Sequence, residues 1–141
     1  MPRFTLPLAG LLSMAGLAAA PPVTLVVRAS GFLDSSGQAV AKLFLPGDNV
    51  KAKGRWELSS PIRQGRAEFR FQYLNRGAYA VVVFHDQNAN GVIDHNALRF
   101  PSEPLGFSNG FALGLLSGLP TFGKLRFELV ADEQTLDITM K

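Results

Sequence analysis

The chain alternates. In "AEFRFQY", Phe69, Phe71 and Tyr73 fall on one side of an extended backbone, and Glu68, Arg70 and Gln72 on the other. Period two is the mark of a half-buried strand. "KLRFELV" sets Leu125, Phe127 and Leu129 against Arg126 and Glu128, and "TLDITMK" turns Leu136, Ile138 and Met140 inward. "VTLVVRA" gives Val23, Leu25 and Val27 one face, while Ala39–Leu45 and Gly54–Leu58 read as further strands. "AYAVVVFH" is apolar on both faces, as expected of a strand inside a sheet covered on both sides.

Turn chemistry separates these runs: "DSSG" from Asp34, "LPGDN" around Pro46, "SSP" from Ser59 and "NRG" from Asn75. No segment sustains a helical period. "SNGFALGLLSGL" has residues for a turn or two of helix, but Gly110, Gly114 and Gly118 oppose it. The expected fold is all-β, a two-layer antiparallel β-sandwich of about seven strands, Ig-like in kind. A small closed barrel is the alternative.

The alternation lapses from about Ala97 to Thr121. Long stretches without secondary structure are uncommon inside a domain and are usually functional or packed as their own unit. Phe100, Phe107, Phe111, Leu113, Leu115, Leu116 and Leu119 make this one too apolar to be disordered. It is expected to be one long apolar loop. The stretch Phe107–Leu119 reads either as a flap over the open end of the sandwich or as the site of a protein or small-molecule ligand.

The N-terminus changes the picture of where the protein works. "MPRFTLPLAGLLSMAGLAAA" carries Arg3 early, an apolar run from Leu6 to Leu17, then small residues. That order is a secretory signal peptide over 1–20, with cleavage after Ala18, Ala19 or Ala20. The run is shorter than the roughly 20 apolar residues a membrane span needs. The expectation is an exported protein, periplasmic or extracellular, with a single domain over 21–141. It has no membrane span once the signal is removed. That domain has about 120 residues, enough for its own core.

The whole chain carries a formal net charge of +3, and losing Arg3 lowers it by one. The basic residues are scattered and not interleaved with an aromatic platform, so no nucleic acid partner is expected. The chain has no cysteine, which excludes a lipid-anchored lipoprotein, disulfides and a thiol nucleophile. No G-x-S-x-G elbow or phosphate-cradling glycine loop is present.

Candidate chemistry gathers in "FHDQNANGVID". Calcium takes six to eight oxygen ligands, and a chain supplies several when side chains at positions 1, 3 and 5 of a loop turn inward. Asp86, Asn88 and Asn90 occupy those positions, Gly91 is sixth, Val92 offers a seventh-position carbonyl and Asp94 is ninth. The first half therefore matches D-x-[DN]-x-[DN]-G. The second half departs from the EF-hand, because position 12 is Ala97 rather than glutamate and a strand precedes the loop. A further carboxylate must come from elsewhere, with Asp94 and Glu103 nearest. The competing reading is a plain hairpin turn at Asn90-Gly91, with Asp86 and Asn88 bonded to local amides.

His85 and His95 flank the loop. They allow a transition-metal or general-base reading, a metal-dependent hydrolase using His85, Asp86 and Glu103. A hydrogen-bonded structural histidine is the commoner outcome beside an apolar strand.

Three blocks, "GAYAVVVFHDQNANGVID", "FPSEPLGFSNG" and "LPTFGKLRFEL", resemble the exported bacterial family called domain of unknown function 2141. Gly77, Tyr79, Ala80, His85, Asp86, Asn88, Asn90, Gly91 and Asp94 match its first block. Pro101, Glu103, Gly106, Phe107, Ser108 and Asn109 match its second, and Pro120 and Phe122 its third. The chain departs from the pattern at Asn75-Arg76, at Arg99-Phe100 and in the leucine-rich insert from Phe111 to Gly118. The resemblance implies one β-rich domain behind a signal peptide, with Glu103 as the remote partner of the Asp86 loop. It also suggests transthyretin-like and carboxypeptidase-regulatory-like sandwiches, an analogy of fold that does not fix function.

The resulting expectation is a non-enzymatic exported module that binds or interacts in the envelope or outside the cell. Its calcium ligands would be Asp86, Asn88, Asn90, Val92, Asp94 and Glu103.

Overall fold

Alternating sequence becomes paired strands in the computed structural model, which describes residues 20–94 and 103–141. The expected signal peptide, residues 1–20, lies outside the described residues except for Ala20, and the start of the apolar loop lies outside them too. Among the described residues, eight strands form two sheets. In the first, β1 (Val23–Ser30) lies between β4 (Arg66–Leu74) and β8 (Glu133–Thr139). In the second, β3 (Trp56–Ser60), β2 (Gln38–Phe44), β5 (Gly77–Asp86) and β6 (Leu105–Phe107) follow in that order. There, β7 (Phe127–Leu129) pairs with the start of β5. The fold is the expected β-sandwich.

One pairing departs from the all-antiparallel expectation: β8 runs parallel to β1. A hairpin connection enforces antiparallel neighbours, whereas a crossover does not. The chain leaves β7 in the second sheet and crosses to the first before β8 begins, so no hairpin dictates its direction.

The core between the sheets is made by the alternating faces. Leu25 and Val27 of β1, Phe69 and Phe71 of β4, and Val81 and Val83 of β5 are all buried in one cluster. The opposite face of β5 and β2 is buried as well. Val40, Phe44, Val82 and Phe84 pack there beneath Leu105, Phe107 and Leu125. β5 is therefore covered on both faces, which is why its sequence is apolar at every position from Tyr79 to Phe84.

Three expectations need correction. Tyr73 does not continue the inward face of Phe69 and Phe71: it is 83% exposed and its φ is +60°. The β1–β4 register shifts between Val23 and Leu25, so one extra residue of β4 bulges out and Leu74 takes the inward place. Leu125 is buried as expected, but from a one-turn helix, α1 (Phe122–Leu125), and the strand begins only at Phe127. The long apolar loop is not structureless, since Leu105–Phe107 is β6, paired with Val82–Phe84. Its described aromatic residues, Phe107 and Phe111, cover the outer face of the second sheet rather than an open end, joined there by Phe122 of α1.

β6 is short and centred on Gly106, which left it without a visible period. A Cβ on Gly106 would sit 2.5 Å from Ile138 Cγ2, so glycine lets β6 lie close against the end of β8. Leu105 and Lys141 exchange backbone hydrogen bonds of 3.3 and 3.0 Å at that point, tying the sheets together along one edge.

Candidate functional site

The fold brings three separate segments to the C-terminal end of β5. Asp86 is the last residue of that strand and is fully buried. Its Oδ1 accepts from the Asn90 N–H at 3.1 Å, and its Oδ2 from the Gly91 N–H at 2.7 Å. Oδ2 also accepts from Gln38 Nε2 at 2.9 Å. Gln38 is available because the β2–β5 register places it directly opposite Asp86. Gly37 permits that approach: at φ +60°, a Cβ there would lie 2.0 Å from the Asp86 carbonyl oxygen.

Glu103 is the second anchor and is 6% exposed. Its Oε1 accepts from the Gln87 N–H and its Oε2 from the Asp94 N–H, both at 3.2 Å. One carboxylate thus fastens the start and the end of the loop. Burial pushes the Glu103 carboxyl above its ordinary value, those two N–H groups pull it back, and the charges of Asp94 and Asp86 push it up again.

Asp94 faces the two asparagines. Asn88 Nδ2 donates to its Oδ2 at 2.8 Å, and Asn90 Nδ2 donates to both of its oxygens at 3.2 and 3.3 Å. The carbonyl oxygens of the two side chains turn to the backbone, Asn88 Oδ1 accepting from Asn90 N–H and Asn90 Oδ1 from Val92 N–H. Val92 itself is 56% exposed. Left-handed backbone occurs at Ala89 (φ +53°) and Gly91 (φ +79°), not at Asn90. Val92 to Asp94 are not in a strand, and the described strand that pairs with β5 after the loop is β6, so Asn90-Gly91 does not close a two-residue hairpin.

The predicted ligands Asp86, Asn88, Asn90, Asp94 and Glu103 are therefore held in one hydrogen-bonded unit. As placed, among the described residues no three His, Asp or Glu side chains stand close enough to hold a metal ion between them. A cation would draw on the amide oxygens. Rotating the side-chain amides of Asn88 and Asn90 by half a turn presents oxygen to the Asp94 carboxylate side, and the two amide orientations have the same shape. That rotation costs the two bonds to backbone N–H and the amide N–H bonds to Asp94, which a bound cation would have to replace.

His85 is fully buried. Its Nε2 lies 2.7 Å from the Ser36 carbonyl oxygen, which fixes the proton on Nε2 in the neutral ring. The Phe32 ring meets it edge-on at 5.4 Å, and Nδ1 has no partner among the described residues. The ring is closed off from solvent, which removes it from the position a general base needs. His95 lies outside the described residues.

Sequence reasoning missed Ser36, Gly37 and Gln38, because their place at the site follows from strand register rather than from spacing. It also missed the work done by Ser108. This buried hydroxyl accepts from the Val81 N–H at 2.9 Å and donates to the Leu125 carbonyl, riveting the apolar segment to β5 and α1. Tyr79, on the other side of β5, donates its hydroxyl to the Asn75 carbonyl at 2.7 Å and seats the strand's entry.

No curated protein and no solved structure matches the chain. Residues 27–137 match the family described as "uncharacterized protein conserved in bacteria (DUF2141)", and on that extent of agreement the chain belongs to it.

Proposed function

We propose that the protein is an exported, non-enzymatic binding module whose Asp86 loop is ordered by calcium. The observation that carries this reading is the gathering of Asp86, Asp94 and Glu103 around one loop, where Glu103 sits buried under the repulsion of the other two. Among the described residues, no lysine or arginine forms an ion pair with any of the three. Calcium would supply positive charge to this group. Asp94 and the side-chain oxygens of Asn88 and Asn90 would be its first ligands, with the Val92 carbonyl beside them. Asp86 and Glu103 would complete the set or hold the loop in shape. With few carboxylates, the affinity falls in the weak range of extracellular sites, on the order of 10–100 μM or weaker.

Support for a binding role rather than a catalytic one comes from His85, whose ring is sealed beneath Phe32 and Ser36. The apolar segment after β6 offers the contact surface.

The test is calorimetric titration of calcium into the protein, beside Asp94→Asn and with magnesium as control. Asp94 is partly exposed, so this variant removes charge without opening the core. The reading requires saturable calcium binding that Asp94→Asn weakens at least tenfold. Heat that is absent, or unchanged by the substitution, removes calcium from the account.

A further inference from the structure

The apolar segment does not end where its aromatic residues meet the sheet. Beyond Phe111 it projects a turn, Gly114–Ser117, whose two central side chains are not covered by any of the described residues. Leu115 and Leu116 are each 101% exposed, and Leu119 is 63% exposed. Fully exposed adjacent leucines on a protruding turn are unlike the singly scattered apolar residues of an ordinary surface.

The turn is held in shape from within. The Ser117 N–H donates to the Gly114 carbonyl at 3.3 Å, and Ser117 Oγ accepts from the Gly114 N–H at 2.9 Å. Lys124 Nζ reaches back from α1 to donate to the carbonyls of Ser117 and Leu119, both at 2.9 Å. Its ammonium also stands 5.8 Å from the centre of the Phe111 ring. Much of the turn's polar backbone is therefore satisfied without water.

The side of the turn that faces α1 is basic. From Pro104 to Phe127 the sequence has no acidic residue, and with Arg126 ion-paired to Glu128 at 2.7 Å, Lys124 is that stretch's net charge, while Glu103 and Asp137 line the cleft on the side of Phe111 to Leu113. Leu119 to Phe122 line a cleft with Asp48 to Lys51 of the β2–β3 connection. Asp48 there is ion-paired with Arg55 at 3.0 Å, which leaves Lys51 and Lys53 as that connection's net charge. Both lysines are exposed.

We propose that this turn docks the protein on an anionic lipid surface, with Leu115 and Leu116 entering the boundary between headgroups and acyl chains. A protruding apolar pair suits a deformable apolar phase, and Lys124 with Lys51 and Lys53 on one side of it suits anionic headgroups. The proposal shares with the functional reading only the use of this segment as the contact surface. It requires nothing of the Asp86 loop.

Every described strand and both core clusters lie from Val23 onward, so protein beginning at Pro21, where the expected signal peptide ends, is the sample to use. Its partition onto phosphatidylglycerol-rich vesicles is measured by co-sedimentation in EDTA, which makes the result independent of calcium. Leu115→Ser/Leu116→Ser is expected to lower the partition coefficient about a hundredfold, roughly tenfold per leucine. Lys51→Glu/Lys53→Glu is expected to lower it several-fold, as is replacement of the lipid by phosphatidylcholine. The chain has no cysteine, so Leu116→Cys and Leu33→Cys each accept one environment-sensitive dye. Leu33 is 89% exposed in the β1–β2 connection, and only the dye at position 116 should shift to the blue on adding vesicles. Absence of vesicle binding, binding that survives the double serine variant, or equal dye shifts at both positions overturns the proposal. So does a dimer in sedimentation velocity that the double serine variant dissolves, because the leucines would then belong to a second copy.

Discussion

Ser108→Ala removes one oxygen atom from the interior, and its consequence can be worked from the structure. The Ser108 residue is 1% exposed, and its Oγ serves Val81 N–H at 2.9 Å and the Leu125 carbonyl. Neither group is offered another partner by the alanine methyl. An unsatisfied buried backbone group costs about 1–3 kcal/mol, so two of them cost about 2–4 kcal/mol once modest relaxation is allowed. The space left by a single oxygen atom is small, so a cavity adds little to this. Domains of this size have about 5–15 kcal/mol in total, which makes the loss a large share. Urea unfolding followed by far-ultraviolet circular dichroism reads it as a lower midpoint with an unchanged slope. Hydrogen exchange localises it, because the Val81 amide should exchange much faster than that of Val83, which lies in the β2–β5–β6 ladder. A midpoint change worth less than about 0.5 kcal/mol, within the range of ordinary surface substitutions, would refute the reasoning. Water would then be reaching both groups, and the segment after β6 would not be riveted to the sheet.

Other expectations follow from single residues. Gly37→Ala should destabilise far more than Gly47→Ala in thermal unfolding: both have positive φ, but only at Gly37 does the Cβ strike backbone, 2.0 Å from the Asp86 oxygen, whereas nothing lies within 4 Å at Gly47. Gly47→Ala should cost only the left-handed penalty of about 1–2 kcal/mol. Tyr73→Gly should stabilise by about 0.5–1 kcal/mol in urea titration, since the bulge residue is exposed and left-handed, while Tyr73→Ala should be near neutral. The raised Glu103 carboxyl means the folded state keeps that proton to a higher pH than the unfolded chain does. Its contribution is therefore fully present below the unfolded value and is lost as pH rises through the folded one. In EDTA, Glu103→Gln should abolish that part of the pH dependence, as read from urea midpoints across the carboxylate range up to neutrality.

The sandwich was legible because its strands bury one face each, so Phe69, Phe71, Leu25 and Val27 announce themselves by alternation. The doubly covered β5 was legible for the opposite reason, a run apolar on both faces. Alternation fails where parity changes. One extra residue in β4 sends Tyr73 outward, and no propensity rule marks a tyrosine as the bulge. It also fails for elements too short to repeat, such as β6 and the single turn that buries Leu125. Within the site, the spacing of Asp86, Asn88, Asn90 and Asp94 pointed to the right loop. Glu103 joined it through the resemblance of a whole motif block. Gln38 and Gly37 were invisible, because only the pairing of β2 with β5 brings them to Asp86.

The central claim is that a cation orders the Asp86 loop, and thermal unfolding in millimolar calcium against EDTA tests it most directly. A site with a dissociation constant a hundredfold below the calcium concentration adds about 2.7 kcal/mol. For a chain of this length that is a rise of about 10 °C. Asp94→Asn is the companion variant, because Asp86 is fully buried and already serves Asn90, Gly91 and Gln38 in the absence of any ion. The account predicts a calcium-dependent rise in the unmodified protein and none in Asp94→Asn, each compared with its own melting temperature in EDTA. Equal melting temperatures in calcium and EDTA would contradict it and leave the loop as a hydrogen-bonded connection between β5 and β6.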